Sequence, residues 1–556
     1  MPYINGERIC GTDDYAPAIN WALSQFGYAN LSPGSWPVKS QVRVPAGRNR
    51  ALTSEGARIV PVGWPVTDGN TPVVQIGAFI VPHRNDTLEA LSGADKRLLS
   101  ASASEGATSS TLASGSYSGG FWAVLYDQTL ITLNGGTAEA YTEYSNGELV
   151  YVTVSSGTTI SYDSWGYDGQ TSYVRGNANS GRRTVTPFTI RRDYANTPAI
   201  LMGAGPWISH NVTIQGIEVV NDEDQQIEIL MAASLVNGLV IDGFLGTNYR
   251  RGLRVGLCRN AIVRGARLYD AQADVEAGYG VEFVRVTGGY MQDCRGYGTL
   301  RHICDTRTGT RGVNIHDAQG ICTVASGGSA VVLGHGQRGK DLVASQIIGG
   351  VYCGNPEWPN GDTNIVFRDI QDDTYRIQIN ANSSNVQVID CAVPCLEIQS
   401  SDNTADGVTR TVPGPVTVTD CTLAAPEGFP QQSLAITKND DSVITCPDIT
   451  FTRVSITPKL TQSWAVTIPA LSSGSPTLTF NQGTINGRGS KPGVGYLGSG
   501  SISATFTGVS FTGISGYAFS AASASGGAFS STGSTKNGSP LVSGDLNLGS
   551  MSSSVA

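Results

Sequence analysis

Carboxylates, a histidine and several arginines crowd one stretch of this chain. Asp274, Glu276 and Glu282 come first, and Arg301, His302 and Asp305 follow one repeat later. Two carboxyl groups held a few ångströms apart can cleave an acetal: one protonates the leaving oxygen, the other acts on carbon or on water. A basic neighbour binds a polar substrate and helps to set the two pKa values apart. Glu282 lies between Val281 and Phe283, so in a strand it leaves the face opposite to them and turns outward. The catalytic candidates are therefore Glu276, Glu282, Asp305 and His302. The substrate-binding candidates are Asp274, Tyr279, Tyr297, Arg301, Arg311, His335 and Trp358. The competing reading makes them ordinary surface polar residues, with His302 a hydrogen-bonded structural histidine. Elimination at a uronate would instead need a base beside C5 and a cation for the carboxylate, which Arg301, Arg307 or Arg311 could supply.

The elements that must hold these groups follow from a recurring phrase: an apolar residue, any residue, Asp, then a small or apolar residue. It reads Leu268-Tyr269-Asp270-Ala271, Met291-Gln292-Asp293-Cys294, Ile315-His316-Asp317-Ala318, Phe367-Arg368-Asp369-Ile370, Val388-Ile389-Asp390-Cys391 and Val418-Thr419-Asp420-Cys421. Neighbouring copies lie roughly 21–30 residues apart, with one gap near twice that, which is a solenoid period. A short strand carries each apolar residue inward, and the Asp is expected to cap a turn by bonding its own backbone. Repetition winds a parallel β-helix with coils about 4.8 Å apart. An Asp present in every coil reads as a turn former, which argues against Asp270, Asp293 and Asp317 as catalysts.

Composition agrees. Glycine is abundant, at 69 residues, and charged residues make up 15% of the chain, a balance that favours strands and tight turns over helices. The net charge of −9 argues against a nucleic-acid partner, which needs a basic stripe. No apolar run approaches a membrane span, and Met1 to Asn5 carries no basic, apolar leader. Of the ten cysteines, Cys294, Cys322, Cys353, Cys391, Cys421 and Cys446 recur at about one per coil. This spacing predicts a reduced interior column, with disulfides or a metal site as the alternatives. No cofactor and no metal ligand set is expected.

Along the chain, residues 1–60 form a capping segment. Thr12 or Asp13 is expected to cap a helix whose Ile19, Ala22 and Leu23 share one face, and Val42-Arg43-Val44 is a strand ending in a Pro/Gly turn. Residues 61–198 hold the first coils and an inserted β module. There Ser100 to Gly120 reads as loosely ordered, and Phe121 to Tyr126 and Leu149 to Val154 read as strands. Tyr162, Trp165, Tyr167 and Tyr173 either fill a small core or stack on sugar rings. Residues 199–450 are the regular β-helix body, with the loop Cys353 to Asp362 bulging from it. Residues 451–556 form a β-rich end whose tail, from Ser520, looks weakly folded alone and suited to wrapping around identical partners.

At this point the chain resembles bacteriophage tailspikes of the right-handed parallel β-helix, pectin-lyase-like group. Gly11-Thr12-Asp13-Asp14 before a helix, followed by Val44-Pro45-Ala46-Gly47, looks like the entry segment of such spikes. Gly278-Tyr279-Gly280-Val281, Arg301-His302, Asn314-Ile315 and His335-Gly336 resemble a run in these proteins, over about two thirds of the chain. A related run often has Asp-Thr before the last His, where this chain has Leu333 and Gly334. The resemblance implies an all-β homotrimer on a phage tail, made in the host cytoplasm and released by lysis. It implies attachment through the first residues or an adaptor or hub protein, without membrane insertion. It also implies binding, and often cleavage, of a bacterial surface polysaccharide. Two other classes stay open: a binding-only fibre and a cellular polysaccharide lyase.

Overall fold

The computed structural model describes residues 2–64, 72–77, 96–100, 108–116, 121–127, 131–132, 143–144, 147–162, 171–172, 183–184, 188–192, 208–222, 227–271, 278–298, 301–307, 309–320, 329–335, 339–354, 362–380, 383–403, 408–410, 414–438, 446–471 and 474–556. They fall into two compact units, Met1–Gly328 and Ser329–Ala556. Asp274, Glu276, Cys322, Trp165, Tyr167, Tyr173 and Trp358 lie outside the described residues.

In the first unit, two parallel ladders run coil upon coil. One joins Val42–Val44, Val74–Gly77, Ile229–Ser234, Arg251–Gly256, Tyr279–Val284 and His302–Arg307. The other joins Arg48–Pro61, Ser209–Val220, Val236–Asp242, Arg259–Arg264, Thr287–Tyr297 and Arg311–Gly320. After a corner, short strands Leu245–Thr247 and Arg267–Tyr269 add a third wall. Leu239, Ala261, Val263, Met291, Val313 and Ile315 face inward with almost no exposure, because each sits at an alternate position of its strand.

The open end of the stack is closed by the helix Ala16–Phe26, which buries Ala16, Ile19, Ala22 and Leu23. Asn20 satisfies the exposed strand edge: its Oδ1 accepts from Arg43 N at 2.6 Å, and its Nδ2 donates to Gln41 O at 2.9 Å. The N-terminal cap departs from expectation. Asp14, rather than Thr12 or Asp13, accepts from Ala16 N at 3.1 Å, because Thr12 is occupied with Asp14 N.

The expected insertion is a six-stranded antiparallel sheet that includes Phe121–Asp127 and Gly147–Ser156. The coil closes over it, since His210 pairs directly with Arg48. Tyr162 is buried and its hydroxyl lies 2.7 Å from Ser110 Oγ, so this ring fills the module's core. Trp122 lies against His210 at 5.5 Å and under Arg259 at 5.6 Å, tying module to coil.

In the second unit, the ladder Lys340–Ile348, Thr363–Arg368, Ser384–Ile389, Val416–Thr419, Ile449–Thr457, Thr477–Lys491 and Ser503–Ile514 continues through Ala528–Thr532 to Ser552–Val555. The tail from Ser520 therefore keeps the coil pattern. Its core is a run of aromatic rings, with Phe451 on Phe480 at 4.6 Å, Phe480 on Phe506 at 4.8 Å and Phe506 near Phe529 at 5.6 Å.

All six repeated aspartates have left-handed backbones, φ 51° to 55°. Only Gly adopts that region freely, and Asp and Asn tolerate it better than other residues. Gly243 and Gly265 stand in the same column as Asp293 and Asp317, and Gln346, Arg453 and Gln482 in that of Asp369, Asp390 and Asp420. The expected turn closing on the Asp itself is corrected. Asp369 N, Asp390 N and Asp420 N each donate at 3.0 Å to a carbonyl of the next coil. Asp270 belongs to a different corner, since Tyr269 pairs with Tyr297, beyond the bend at Asp293.

The single cysteine column is also corrected. Cys391 and Cys421 stack, with Cys391 N 3.4 Å from Cys421 Sγ. Cys294 instead pairs with Ala318 just past a corner, and Cys353 pairs with Leu333 and Ile379 on the other sheet. A shared period does not place residues at one point of a coil when loops between corners differ in length. The described cysteines are all free thiols, buried except Cys10 and Cys446.

Candidate functional site

Three neighbouring strands of the first unit are enclosed on both faces: Arg251–Gly256, Tyr279–Val284 and His302–Arg307. Parallel register stacks Arg254, Glu282 and Asp305 as one row, and Arg251, Tyr279 and His302 as another. The sequence thus brings Tyr279, Glu282, His302 and Asp305 together, with Arg301 alongside. Glu282 does leave the face opposite Val281 and Phe283, but it does not reach solvent. Glu282, His302 and Asp305 have no exposed surface, which corrects the expectation of a surface acidic patch.

Arginines explain how the carboxylates tolerate enclosure. Glu282 meets Arg307 at 3.0 Å, Arg251 at 3.2 Å and Arg254 at 3.9 Å, and Arg307 also holds Asp305 at 2.6 Å. Burial alone would push the Glu282 carboxyl up, but the charges of Arg254, Arg307 and Arg251 together hold it below its ordinary value. Glu228 balances the excess cations through Arg250 at 2.9 Å and Arg251 at 3.1 Å. The Tyr279 ring receives Arg307 at 4.2 Å, Arg251 at 5.2 Å and Arg301 at 5.5 Å, and lies 5.5 Å from the His302 ring. An ionised glutamate fenced by three guanidinium groups is a poor proton donor and a strong internal clamp. Arg311, also buried, starts the next strand of the other sheet, against Thr287.

The third wall of the same unit is open. A groove of about 730 Å³ is lined by Arg58, Glu218, Val220, Asn221, Asp222, Leu245, Thr247, Asn248, Tyr269 and Asp270. Register builds it: Val220, Thr247, Tyr269 and Tyr297 share one column, so the last two rings stack at 5.8 Å with planes 14° apart. Beside them, Asn221 and Asn248 exchange hydrogen bonds at 2.9 and 3.1 Å. Asp270 occupies the next corner, and a Cβ on Gly298 would lie 2.4 Å from Asp270 Oδ1, so the coil above needs glycine there. The stacked tyrosines offer an edge and face suited to the C–H surface of a sugar ring, and the carboxylates accept from its hydroxyls.

Of this wall, the sequence reading singled out Tyr297 as a binding candidate, did not single out Glu218, Asp222 or Tyr269, and set Asp270 aside as a turn former. Aligning coils on their corners would have exposed the Tyr269–Tyr297 column.

In the second unit, His335 packs edge-on to Tyr352 at 6.2 Å. Gly334, one of the two departures from the tailspike-like run, faces an acid from another coil: a Cβ there would lie 1.9 Å from Asp362 Oδ2. Asp362 is fully buried, accepts from Gly339 N at 2.6 Å through Oδ1, and has no hydrogen bond at Oδ2 among the described residues. Burial raises its carboxyl well above the ordinary value. Among the described residues, no group of three or more His, Cys, Asp or Glu is placed to hold a metal ion.

No protein-family model and no curated protein matches the sequence. Solved structures do. The tailspike protein gp49 from Pseudomonas phage LKA1 is 14% identical at a TM-score of 0.50, covering 97% of this chain and 75% of that one. The phi297 tailspike gp61, also from a Pseudomonas phage, is 13% identical at 0.45, covering 96% and 74%. The gp54 tailspike of Acinetobacter baumannii bacteriophage AP22, solved with A. baumannii capsular saccharide, is 12% identical at 0.48, covering 97% and 77%. The stacked parallel ladders and the first of these likenesses agree on one architecture, and in fold this chain is a tailspike-like parallel β-helix.

Proposed function

We propose that this chain is a phage tailspike that binds a bacterial surface polysaccharide, O-antigen or capsule, and depolymerises it by glycoside hydrolysis during host adsorption. The observation that carries this reading is the open groove of the first unit, where the stacked Tyr269 and Tyr297 adjoin Glu218, Asp222 and Asp270. A glycan lying along the wall would cross several coils, resting its ring faces on the tyrosines and donating hydroxyls to the carboxylates.

Cleavage needs one carboxyl to protonate the leaving oxygen and one to activate water or attack carbon. Counted along the stack, Glu218 and Asp270 stand two coils apart, about 10 Å, and Asp270 lies three positions further along than Arg267, the register partner of Glu218, so the two exceed the usual inverting separation of about 6.5–9.5 Å and do not form the acid pair by themselves. Asp274 and Glu276 follow Asp270 closely in the chain and remain the further acid candidates. Glu282 and Asp305 stand in register on adjacent strands, about 5 Å apart by the strand spacing. Their arginine partners assign them to holding the wall rigid rather than to donating protons.

In this reading the chain works as a homotrimer, residues 1–60 face the tail hub or an adaptor, and residues 451–556 serve trimerisation or receptor contact. A binding-only fibre is the second reading. It is favoured by one observation: the carboxylates that stand in register on adjacent strands, Glu282 and Asp305, are closed from solvent. Incubation with purified lipopolysaccharide or capsule separates the two. Falling polymer size without unsaturated-uronate absorbance supports hydrolysis, and retained binding with no change in size supports the fibre. A protein that neither binds nor shortens any surface polysaccharide would overturn both.

A further inference from the structure

We propose that the groove selects glycan segments that carry no carboxylate, neutral or amino-bearing sugars, and that Asp222 and Asp270 determine this choice. The inference rests on the polysaccharide reading above and adds the chemistry of the ligand.

The argument is an inventory of what the groove leaves unused. Among the described residues that line it, the one cation, Arg58, is taken by Glu218 at 3.4 Å. The nearest arginines on the same wall are also engaged: Arg267 with Asp293 at 2.8 Å, and Arg295 with Asp293 at 3.1 Å and Asp317 at 2.8 Å. Asn221 and Asn248 spend an amide N–H on each other. Asp222 and Asp270 are both exposed and have no ion-pair partner among the described residues. Directly behind them, Tyr249 is fully buried, and its hydroxyl has no hydrogen-bond partner among the described residues. Burial first, and then the charge of Asp270, raise that phenol far above its ordinary value, so it stays neutral.

The groove therefore presents acceptors and negative charge. Sugar hydroxyls, amide N–H groups and ammonium groups donate to it, and a uronate entering it meets two carboxylates with no unpaired cation among the described lining residues to offset them. Like charges at contact distance, even in a watery site, weaken binding roughly tenfold or more when two act together.

The test compares one polymer in two forms: an acidic capsular polysaccharide, and the same polymer after its uronates have been reduced to neutral hexoses. Retardation of the full-length protein in gels containing each form gives relative affinity. The wild type is expected to bind the carboxyl-reduced form at least tenfold more tightly. Asp222→Asn combined with Asp270→Asn is expected to narrow that ratio to within about twofold. Asparagine is well suited to the left-handed backbone at Asp270, so the variant keeps the corner. Equal or tighter binding of the native acidic polymer by the wild type would overturn the inference and leave the polysaccharide reading standing. So would a ratio unchanged in the double variant. Binding to neither form, nor to any neutral surface polysaccharide, would overturn the polysaccharide reading itself.

Discussion

Replacing Glu282 by glutamine removes one negative charge from a fully enclosed site and changes almost no volume. Arg307 at 3.0 Å, Arg251 at 3.2 Å and Arg254 at 3.9 Å then lose the carboxylate they share, while Asp305 still holds Arg307 and Glu228 still holds Arg251. Breaking a buried pair by removing one partner costs about 3–5 kcal/mol, because the remaining charge is left uncompensated in a place water does not reach. Glu282→Gln is expected to lose an amount in that range at pH 7, read from urea unfolding followed by tryptophan fluorescence. Unfolding rates should be recorded as well, since a long β-helix can unfold irreversibly. The pH dependence has a definite sign. The folded carboxyl sits below its ordinary value, so its contribution is present above the unfolded value near 4.5 and is lost as pH falls through the folded one. The variant should lack that acid limb. A variant that unfolds within about 0.5 kcal/mol of the wild type and keeps the limb would refute the clamp. A stable variant that alone loses polysaccharide cleavage would return Glu282 to the chemistry.

Four further outcomes are expected. Asp362→Asn should flatten the pH dependence of the second unit's stability above about pH 4: a raised folded carboxyl makes the wild type lose stability as pH climbs above the unfolded value, and asparagine has no proton to lose. Identical pH slopes would contradict this. Tyr297→Ala should weaken glycan binding by about 1 kcal/mol without changing the melting temperature, since the ring is exposed and, among the described residues, stacks on Tyr269 alone. Phe506→Ala, in the middle of the aromatic run, should cost about 3–5 kcal/mol in unfolding. Glu276→Gln should abolish depolymerisation while leaving binding intact; if it does not, Glu276 is removed from the acid pair.

Much of the solenoid could be read from residues alone, because each coil repeats the same local physics. The Asp phrase found six left-handed corners, and its leading apolar residue marked an inward position each time: Leu268, Met291, Ile315, Phe367, Val388 and Val418 are all buried. Two kinds of information were not local. The phrase does not say which of the corners of a coil it marks, so Asp270 was grouped with Asp293 although Tyr269 pairs with Tyr297 beyond the bend. Alternation gives the direction of Glu282 but not what lies on that side, so an outward residue was mistaken for an exposed one. Asp362 was hidden for a related reason. It ends a stretch that reads as a bulging loop, yet its carboxyl fills the space beside Gly334 on another coil.

The same geometry bears on which chemistry the wall can perform. A lyase must anchor a uronate carboxylate with a cation, and Arg301, Arg307 and Arg311 were the candidates. Arg307 is committed to Glu282 and Asp305, Arg301 lies over Tyr279, and Arg311 is buried. In the open groove, Arg58 is paired with Glu218 and the exposed charge is negative. Hydrolysis asks for the opposite arrangement, carboxylates that reach solvent and a face on which to rest a ring. In the proposed reading the enclosed acids and the groove acids therefore divide the labour: Glu282 and Asp305 fix the coils through arginine, and Asp222, Asp270 and the half-buried Glu218 are the ones proposed to meet the glycan. Digests that gain unsaturated-uronate absorbance as the polymer shortens would reverse this division, since the reaction would then require a free cation, and the one cation among the described residues lining the groove, Arg58, is paired with Glu218.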